Sequence, residues 1–225
     1  MLKIKDLDKE KYKIIEKENY YISYVNQKSQ EWFDLRKGRI TGTMIGKIVG
    51  NCKFNKLEGE DLAKYIKGEF KIEHSNEEIE RMNKGNEFED VAREKFKKIY
   101  FEENNIEYKE ETIGMIINKE NEENATSPDG YFECYDEEEK RIIKIGLEIK
   151  CPRYLPNCLV EDDYIYLNYL DQMLWYYKIA MLDKMIYFVY SWETGDYYMK
   201  EIDINREKVL YLFSEGKKFY EKYLK

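Results

Sequence analysis

The sequence holds one histidine, three prolines and four cysteines in 225 residues, and each shortage removes a class of chemistry. The one histidine, His74, sits in the polar stretch KIEHSNEEIE and reads as a surface residue. Serine–histidine and cysteine–histidine hydrolase schemes therefore have almost nothing to draw on. Cys52, Cys134, Cys151 and Cys158 form no Cys-x-x-Cys pair, and none lies near His74 in the chain. The paired ligands of a structural zinc and the gathered thiolates of an iron–sulfur cluster are thus missing. Reduced, structural cysteines of a cytosolic protein are the reading that remains. No apolar run approaches the roughly 18 residues of a membrane-spanning helix. The start, MLKIKDLDKEKYK, lacks the hydrophobic stretch of a secretion signal, so a soluble, intracellular protein is expected. There is no repeat and no Gly/Ser-rich linker to mark a hinge between domains.

What is present is apolar and aromatic enough to fold: 43% hydrophobic and 16% aromatic residues beside 37% charged ones. One α/β or α+β domain is the simplest expectation at this length. The net charge of −8 argues, taken alone, against a nucleic-acid partner. Its distribution reverses that inference. Residues 101–140 hold fourteen acids against three lysines, while residues 35–57 hold Arg36, Lys37, Arg39, Lys47, Lys53 and Lys56 with no acid. A local basic face can bind backbone phosphates while acids elsewhere set the net charge, which predicts a polarised molecule and salt-sensitive DNA binding.

Along the chain, residues 1–28 read as a charged, aromatic lead-in. Ser29 is placed to cap a helix through Lys37, Gly38 to end it, and Thr41 to cap a second helix through Val49. Residues 86–100 put Phe88, Val91, Ala92, Phe96 and Ile99 on one helical face. Strands are expected at Thr112–Asn118, Tyr131–Tyr135 and Ile142–Lys150, then a long helix over 163–181. Lys184–Trp192 and Tyr197–Ile204 read as a hairpin around Gly195-Asp196, and 206–224 as a closing helix. The order predicts a mixed α/β fold with one central sheet flanked by helices.

The third of these strands carries the chemistry. Ile143, Ile145, Leu147 and Ile149 alternate with Lys144, Gly146, Glu148 and Lys150, so Glu148 and Lys150 emerge together on one face, ~7 Å apart. Cys151-Pro152 ends the ladder there. Upstream, Ser127-Pro128-Asp129-Gly130 is a turn signal that places a carboxylate one hairpin away. Asp129 and Glu148 are close enough to share a hard divalent cation such as Mg²⁺, with Lys150 beside them to orient a water or steady charge on phosphorus. From the residues alone a second reading stands: a strand with one charged face and an acidic turn.

The whole string, SPDG followed after a short hairpin by LEIKCP, resembles the active-site signature of the PD-(D/E)xK nuclease superfamily, and within it the lambda-exonuclease/YqaJ-type viral recombinase family. Three further segments match in order. Trp32 to Thr43 is similar to the family's W-x-x-x-R-x-G-x-I-T-[AG]-[ST] segment. Gly85 to Arg93 is similar to its G-x-x-[FLY]-E-x-x-A-R helix, and Tyr169-Leu170-Asp171-Gln172 to its Y-x-x-Q helix. The resemblance implies a restriction-endonuclease-like core, with residues 29–225 as one nuclease domain behind the 1–28 lead-in. It implies Asp129, Glu148, the Ile149 carbonyl and Glu89 as metal ligands or neighbours of Mg²⁺, with Mn²⁺ able to substitute. Lys150 would orient or activate the water, and Gln172 would support Lys150 or the attacked phosphate, with Tyr169 one turn away. Arg36, Thr43 and Tyr169 would bind a DNA phosphate, with the grip itself suited to the planar fork of arginine. Trp32 and the run YLDQMLWYYKIAML read as core rather than as base-stacking surfaces.

The implied activity is a Mg²⁺-dependent deoxyribonuclease, in first place a 5′→3′ exonuclease on double-stranded ends. It would pass a 3′ strand to a single-strand annealing protein in viral-type recombination, and could close into a homo-oligomeric ring, a trimer in the family's manner. The stretch PRYLPNCLVEDDYIYLNYLDQ departs from the family in length and charge, and it bears on polarity. The rivals are a structure-selective endonuclease of the same fold, a non-catalytic DNA-binding or interaction module, and more remotely a small-molecule phosphohydrolase.

Overall fold

The computed structural model describes residues 1–52, 56–155, 159–160 and 164–225; Lys53, Cys158 and the expected helix start at 163 lie outside the described residues. Local signals account for most helices. The Ser29 side chain accepts from the Trp32 amide and opens α1 (Gln30–Arg36), and Gly38, at φ +76°, ends it. In α2 (Gly42–Ile48) Thr41 holds the cap position, but its side chain makes no capping bond. α3 (Gly59–Lys67) is an addition to the sequence reading. α4 (Asn76–Lys97) starts well before residue 86, because Ser75 and Glu78 form a reciprocal capping box. His74 stands beside that cap, 3.6 Å from Glu78. Of the apolar face expected on α4, Ala92 and Phe96 are buried, while Val91 is 47% exposed. α5 (Leu167–Ala180) begins later than expected, and α6 (Arg206–Phe219) is capped by the Asn205 side chain.

The eleven strands among the described residues are β1 (Ile14–Glu16), β2 (Tyr20–Ser23), β3 (Tyr108–Glu110), β4 (Met115–Asn118), β5 (Ala125–Thr126), β6 (Gly130–Asp136), β7 (Arg141–Lys150), β8 (Leu159–Val160), β9 (Tyr164–Ile165), β10 (Lys184–Tyr190) and β11 (Tyr197–Glu201). The fold is mixed α/β, but it has two principal sheets where one was expected. The central sheet has the order β11-β10-β7-β6-β3, a second has β1-β2-β4-β5, and β8 pairs with β9. The strand expected at 112–118 joins the second sheet: β4 pairs with β2, Tyr20 opposite Asn118 and Ser23 opposite Met115. Met115, Ile116 and Ile117 are all buried, so β4 is covered on both faces. Met115 and Ile117 pack with Trp32 and Leu35, and Ile116 packs towards α5.

β7 and β10 run parallel, and a parallel pair needs a crossover; α5 lies within it. α2, α3, α5 and α6 cover one face of the central sheet, and α4 covers the other through Ala92 and Phe96. Phe96 sits within 6 Å, centroid to centroid, of Tyr100, Phe101, Phe132 and Phe188. The aromatic run of α5 is core as expected, with Trp175 fully buried and stacked on Phe213 at 4.3 Å. Among the described residues, Cys52, Cys134 and Cys151 form no disulfide. Among the described residues no helix is long and apolar enough to cross a membrane.

Candidate active site

Alternation along β7 sorts its side chains. Ile143, Ile145, Leu147 and Ile149 pack into the α4-side core, which turns Glu148 towards α5. Glu148 is 1% exposed. Asp129 stands just before β6, whose first residue pairs with Leu147. The Asp129 amide donates to the Leu147 carbonyl at 3.0 Å, and the Ile149 amide donates to Asp129 Oδ2 at 2.8 Å. The two carboxylates therefore converge at the end of the β6–β7 hairpin.

α5 closes over them. Gln172 Nε2 donates to Glu148 Oε1 at 2.8 Å and to the Tyr176 hydroxyl at 2.6 Å. The Lys150 ammonium donates to the same Glu148 oxygen and lies 4.8 Å from the centre of the Tyr169 ring. Glu148 Oε2 is buried with no hydrogen-bond partner. A buried, uncommitted carboxylate oxygen in a cavity shared with a second carboxylate fits a hard divalent cation. The charge balance agrees. Burial first, then the charge of Glu148, raises the Asp129 carboxyl well above its ordinary range against the opposing pull of Lys150. Burial also raises Glu148, with Lys150 opposing and Glu89 adding. Burial alone would lower Lys150, but Glu148 and Asp129 outweigh it and hold the ammonium charged.

Glu89 faces the same cavity from α4, but its carboxylate is held by Lys28 at 3.2 Å and Arg93 at 3.1 Å. Among the described residues no three His, Cys, Asp or Glu side chains gather closely enough to hold a metal by themselves. A cation here would rest on Asp129, Glu148 and the Ile149 carbonyl, and take the rest from water and phosphate, the habit of Mg²⁺. Arg93 also donates to the Asp129 carbonyl at 2.8 Å, so α4 braces the turn that carries this ligand.

Arg36 reaches the cavity from the end of α1. One of its nitrogens donates to Thr41 and Thr43 hydroxyls at 3.2 Å each, which is where the Thr41 side chain goes instead of capping α2. Its guanidinium lies 4.3 Å from the Trp32 ring centre, and Trp32 is fixed in the core by bonds to Gly114 and Ser127. Burial holds Arg36 somewhat below the usual arginine range. Among the described residues its partners are the Thr41 and Thr43 hydroxyls and the nearby phenols of Tyr176 and Tyr65, with no carboxylate paired to it. The wider basic segment is not one face. Arg39 is buried against backbone, and Lys37 pairs with Asp34 at 3.1 Å.

Arg36, Thr43, Glu89, Asp129, Glu148, Ile149, Lys150, Tyr169 and Gln172 all line one cavity of about 950 Å³. Sequence reasoning missed Tyr176, Lys28, Arg81 and Arg153 on its wall; it paired Arg93 with Glu89, as found, but not with the Asp129 carbonyl. Tyr176 had a signal, one helical turn beyond Gln172 on the same face. Lys28, Arg81 and Arg153 had none beyond their charge.

Residues 31–183 match the family described as YqaJ-like viral recombinase domain. The chain belongs to that family. Solved structures extend the likeness beyond the YqaJ-like segment. An alkaline exonuclease (LHK-Exo) from Laribacter hongkongensis has 18% identity and a TM-score of 0.64, over 86% of this chain and 91% of its own. The same enzyme in complex with dAMP gives 19% and 0.63, with the same coverage. A phage-related exonuclease from Haemophilus somnus 129PT gives 15% and 0.50, over 84% and 96%. At these identities the likeness shows a common fold. No curated protein is significantly similar in sequence.

Proposed function

We propose that this YqaJ-family protein is a Mg²⁺-dependent deoxyribonuclease, acting as a 5′→3′ exonuclease on double-stranded DNA ends in viral-type recombination. The observation that carries the reading is the uncommitted Glu148 oxygen beside Asp129, in a cavity whose other wall offers Arg36 without an acidic partner. The two similar proteins are named exonucleases, and one of their three structures holds dAMP, which points the same way. Polarity, a single-strand annealing partner and a homo-oligomeric ring rest on family resemblance alone.

Bound at Asp129, Glu148 and the Ile149 carbonyl, a divalent cation would polarise the attacked phosphate and stabilise the leaving 3′-oxygen. The remaining work falls to the chain. Arg36 and Thr43 fix a phosphate by charge and hydrogen bonding. Lys150, partly open to the cavity, donates to the attacking water and offsets charge developing on the phosphate oxygens. Gln172 and Lys150 both occupy Glu148 Oε1, which leaves Oε2 for the metal side. The test is end-labelled duplex with Mg²⁺ or Mn²⁺, against EDTA and against Glu148→Ala and Lys150→Ala. Cleavage should vanish with EDTA and fall by at least about a thousandfold in both variants. Covalently closed circles should stay intact. Turnover that survives the substitutions overturns the mechanism, and cut circles overturn the exonuclease assignment.

A further inference from the structure

We propose that the Tyr176 hydroxyl is a substrate contact, donating a hydrogen bond to a phosphate oxygen of the DNA strand held between Arg36 and Glu148. The proposal rests on the nuclease reading above and adds a residue to it.

The first argument is hydrogen-bond accounting. A tyrosine hydroxyl has one proton to give and accepts through its lone pairs. Tyr176 accepts from Gln172 at 2.6 Å, and Gln172 spends its other N–H on Glu148. The Tyr176 proton must therefore go elsewhere. Within the protein the hydroxyl reaches the Glu148 carboxylate, the group placed to take the cation. A cation on that carboxylate would compete for the same oxygen, and the proton would then turn to an acceptor in the cavity that Tyr176 lines. A phosphodiester, which offers only acceptors, matches a lone donor of this kind.

The second argument is position. Tyr176 lines the same cavity as the carboxylates Asp129 and Glu148 and the phosphate-gripping Arg36, so its hydroxyl shares one space with both. The third is rigidity. The ring is seated against Gly42, where a Cβ would come within 2.3 Å of Tyr176 Cε1 and 2.8 Å of Gln172 Cγ. α2 and α5 meet so closely that the hydroxyl cannot swing away, and a donor fixed in advance costs no reorganisation when substrate binds. A role in packing alone would need the ring and not the oxygen.

The test is Tyr176→Phe, which keeps the ring against Gly42. Its melting temperature should stay within about 2 °C of the parent, and kcat/KM on duplex ends should fall by about 10- to 100-fold. The deciding measurement is binding with Ca²⁺ in place of Mg²⁺, followed by fluorescence anisotropy. It compares ordinary duplex with duplex whose first three linkages from the 5′ end are uncharged methylphosphonates. The parent should bind ordinary duplex about tenfold more tightly than Tyr176→Phe, and the advantage should disappear on methylphosphonate DNA. An advantage equal on both DNAs, or no difference in turnover between parent and variant, overturns the Tyr176 assignment while leaving the nuclease reading standing. A parent that neither binds nor cleaves DNA removes the nuclease reading itself, and this contact with it.

Discussion

Arg39 gives its guanidinium to three backbone carbonyls, those of Leu2, Leu35 and Glu122, and is 1% exposed. Arg36, three residues earlier in the same basic segment, gives one nitrogen to two threonine hydroxyls and lies over Trp32 at the wall of a cavity. In the sequence the two are alike: both are cations of a stretch without acids. In the fold they differ in how many of the five N–H groups are already spent. A guanidinium saturated by carbonyls ties the chain to itself, here fastening residue 2 to the end of α1. One held by two hydroxyls keeps donors for a ligand. Net charge counts both equally and so misjudges which cations a ligand can reach.

The largest effect should come from Arg39→Ala, which strands three carbonyls in the interior. We expect a loss of about 4 kcal/mol and a melting temperature lower by about 10 °C, read by calorimetry or circular dichroism. Arg36→Ala should do the opposite. It should leave the melting temperature within about 2 °C, weaken DNA binding about 10- to 100-fold and lower the salt slope of binding by about 1. If Arg36→Ala unfolds the protein while Arg39→Ala spares it, the contrast drawn here is reversed.

A smaller effect separates the functional wall from the structural one by pH. The Asp129 carboxyl is raised above its ordinary value in the folded state by burial and by Glu148. The unfolded chain then ionises first, so the metal-free protein loses stability as pH climbs from the ordinary carboxylate range through the raised value. Asp129→Asn removes that loss. Its metal-free melting temperature at pH 7.5 should exceed the parent's by a few degrees and converge with it near pH 4, while saturating Mg²⁺ should stabilise the parent alone. The smallest effect belongs to Lys37→Ala. Its partner Asp34 is a surface acid, so stability should move by less than about 0.5 kcal/mol and DNA affinity by less than in Arg36→Ala.

How far the site could be read from the chain depended on whether its signals were local. Glu148 and Lys150 were legible because a two-residue period next to Cys-Pro leaves little choice of face or end. Asp129 was legible because a turn signal and a hairpin are short-range. Arg36, Thr43, Glu89, Tyr169 and Gln172 sit far apart in sequence, and only family resemblance drew them together. Tyr176 was hidden in a run of aromatic residues that reads as core. It is core, 5% exposed, and composition cannot tell which buried hydroxyl faces a cavity. The second sheet escaped because β1 and β2 are three and four residues long in a charged segment, and the pairing of β2 with β4 spans most of a hundred residues. The early start of α4 could have been read from Ser75-x-x-Glu78 alone.

The close seat of Tyr176 on Gly42 also has a consequence on the scale of the family. Two positions 134 residues apart, one with no side chain and one with a large ring, share a single volume, so the first cannot gain a side chain while the second keeps its ring. Relatives that carry alanine at the position of Gly42 should carry a smaller residue at that of Tyr176. In such proteins the contact proposed for this hydroxyl must be made by another group or given up.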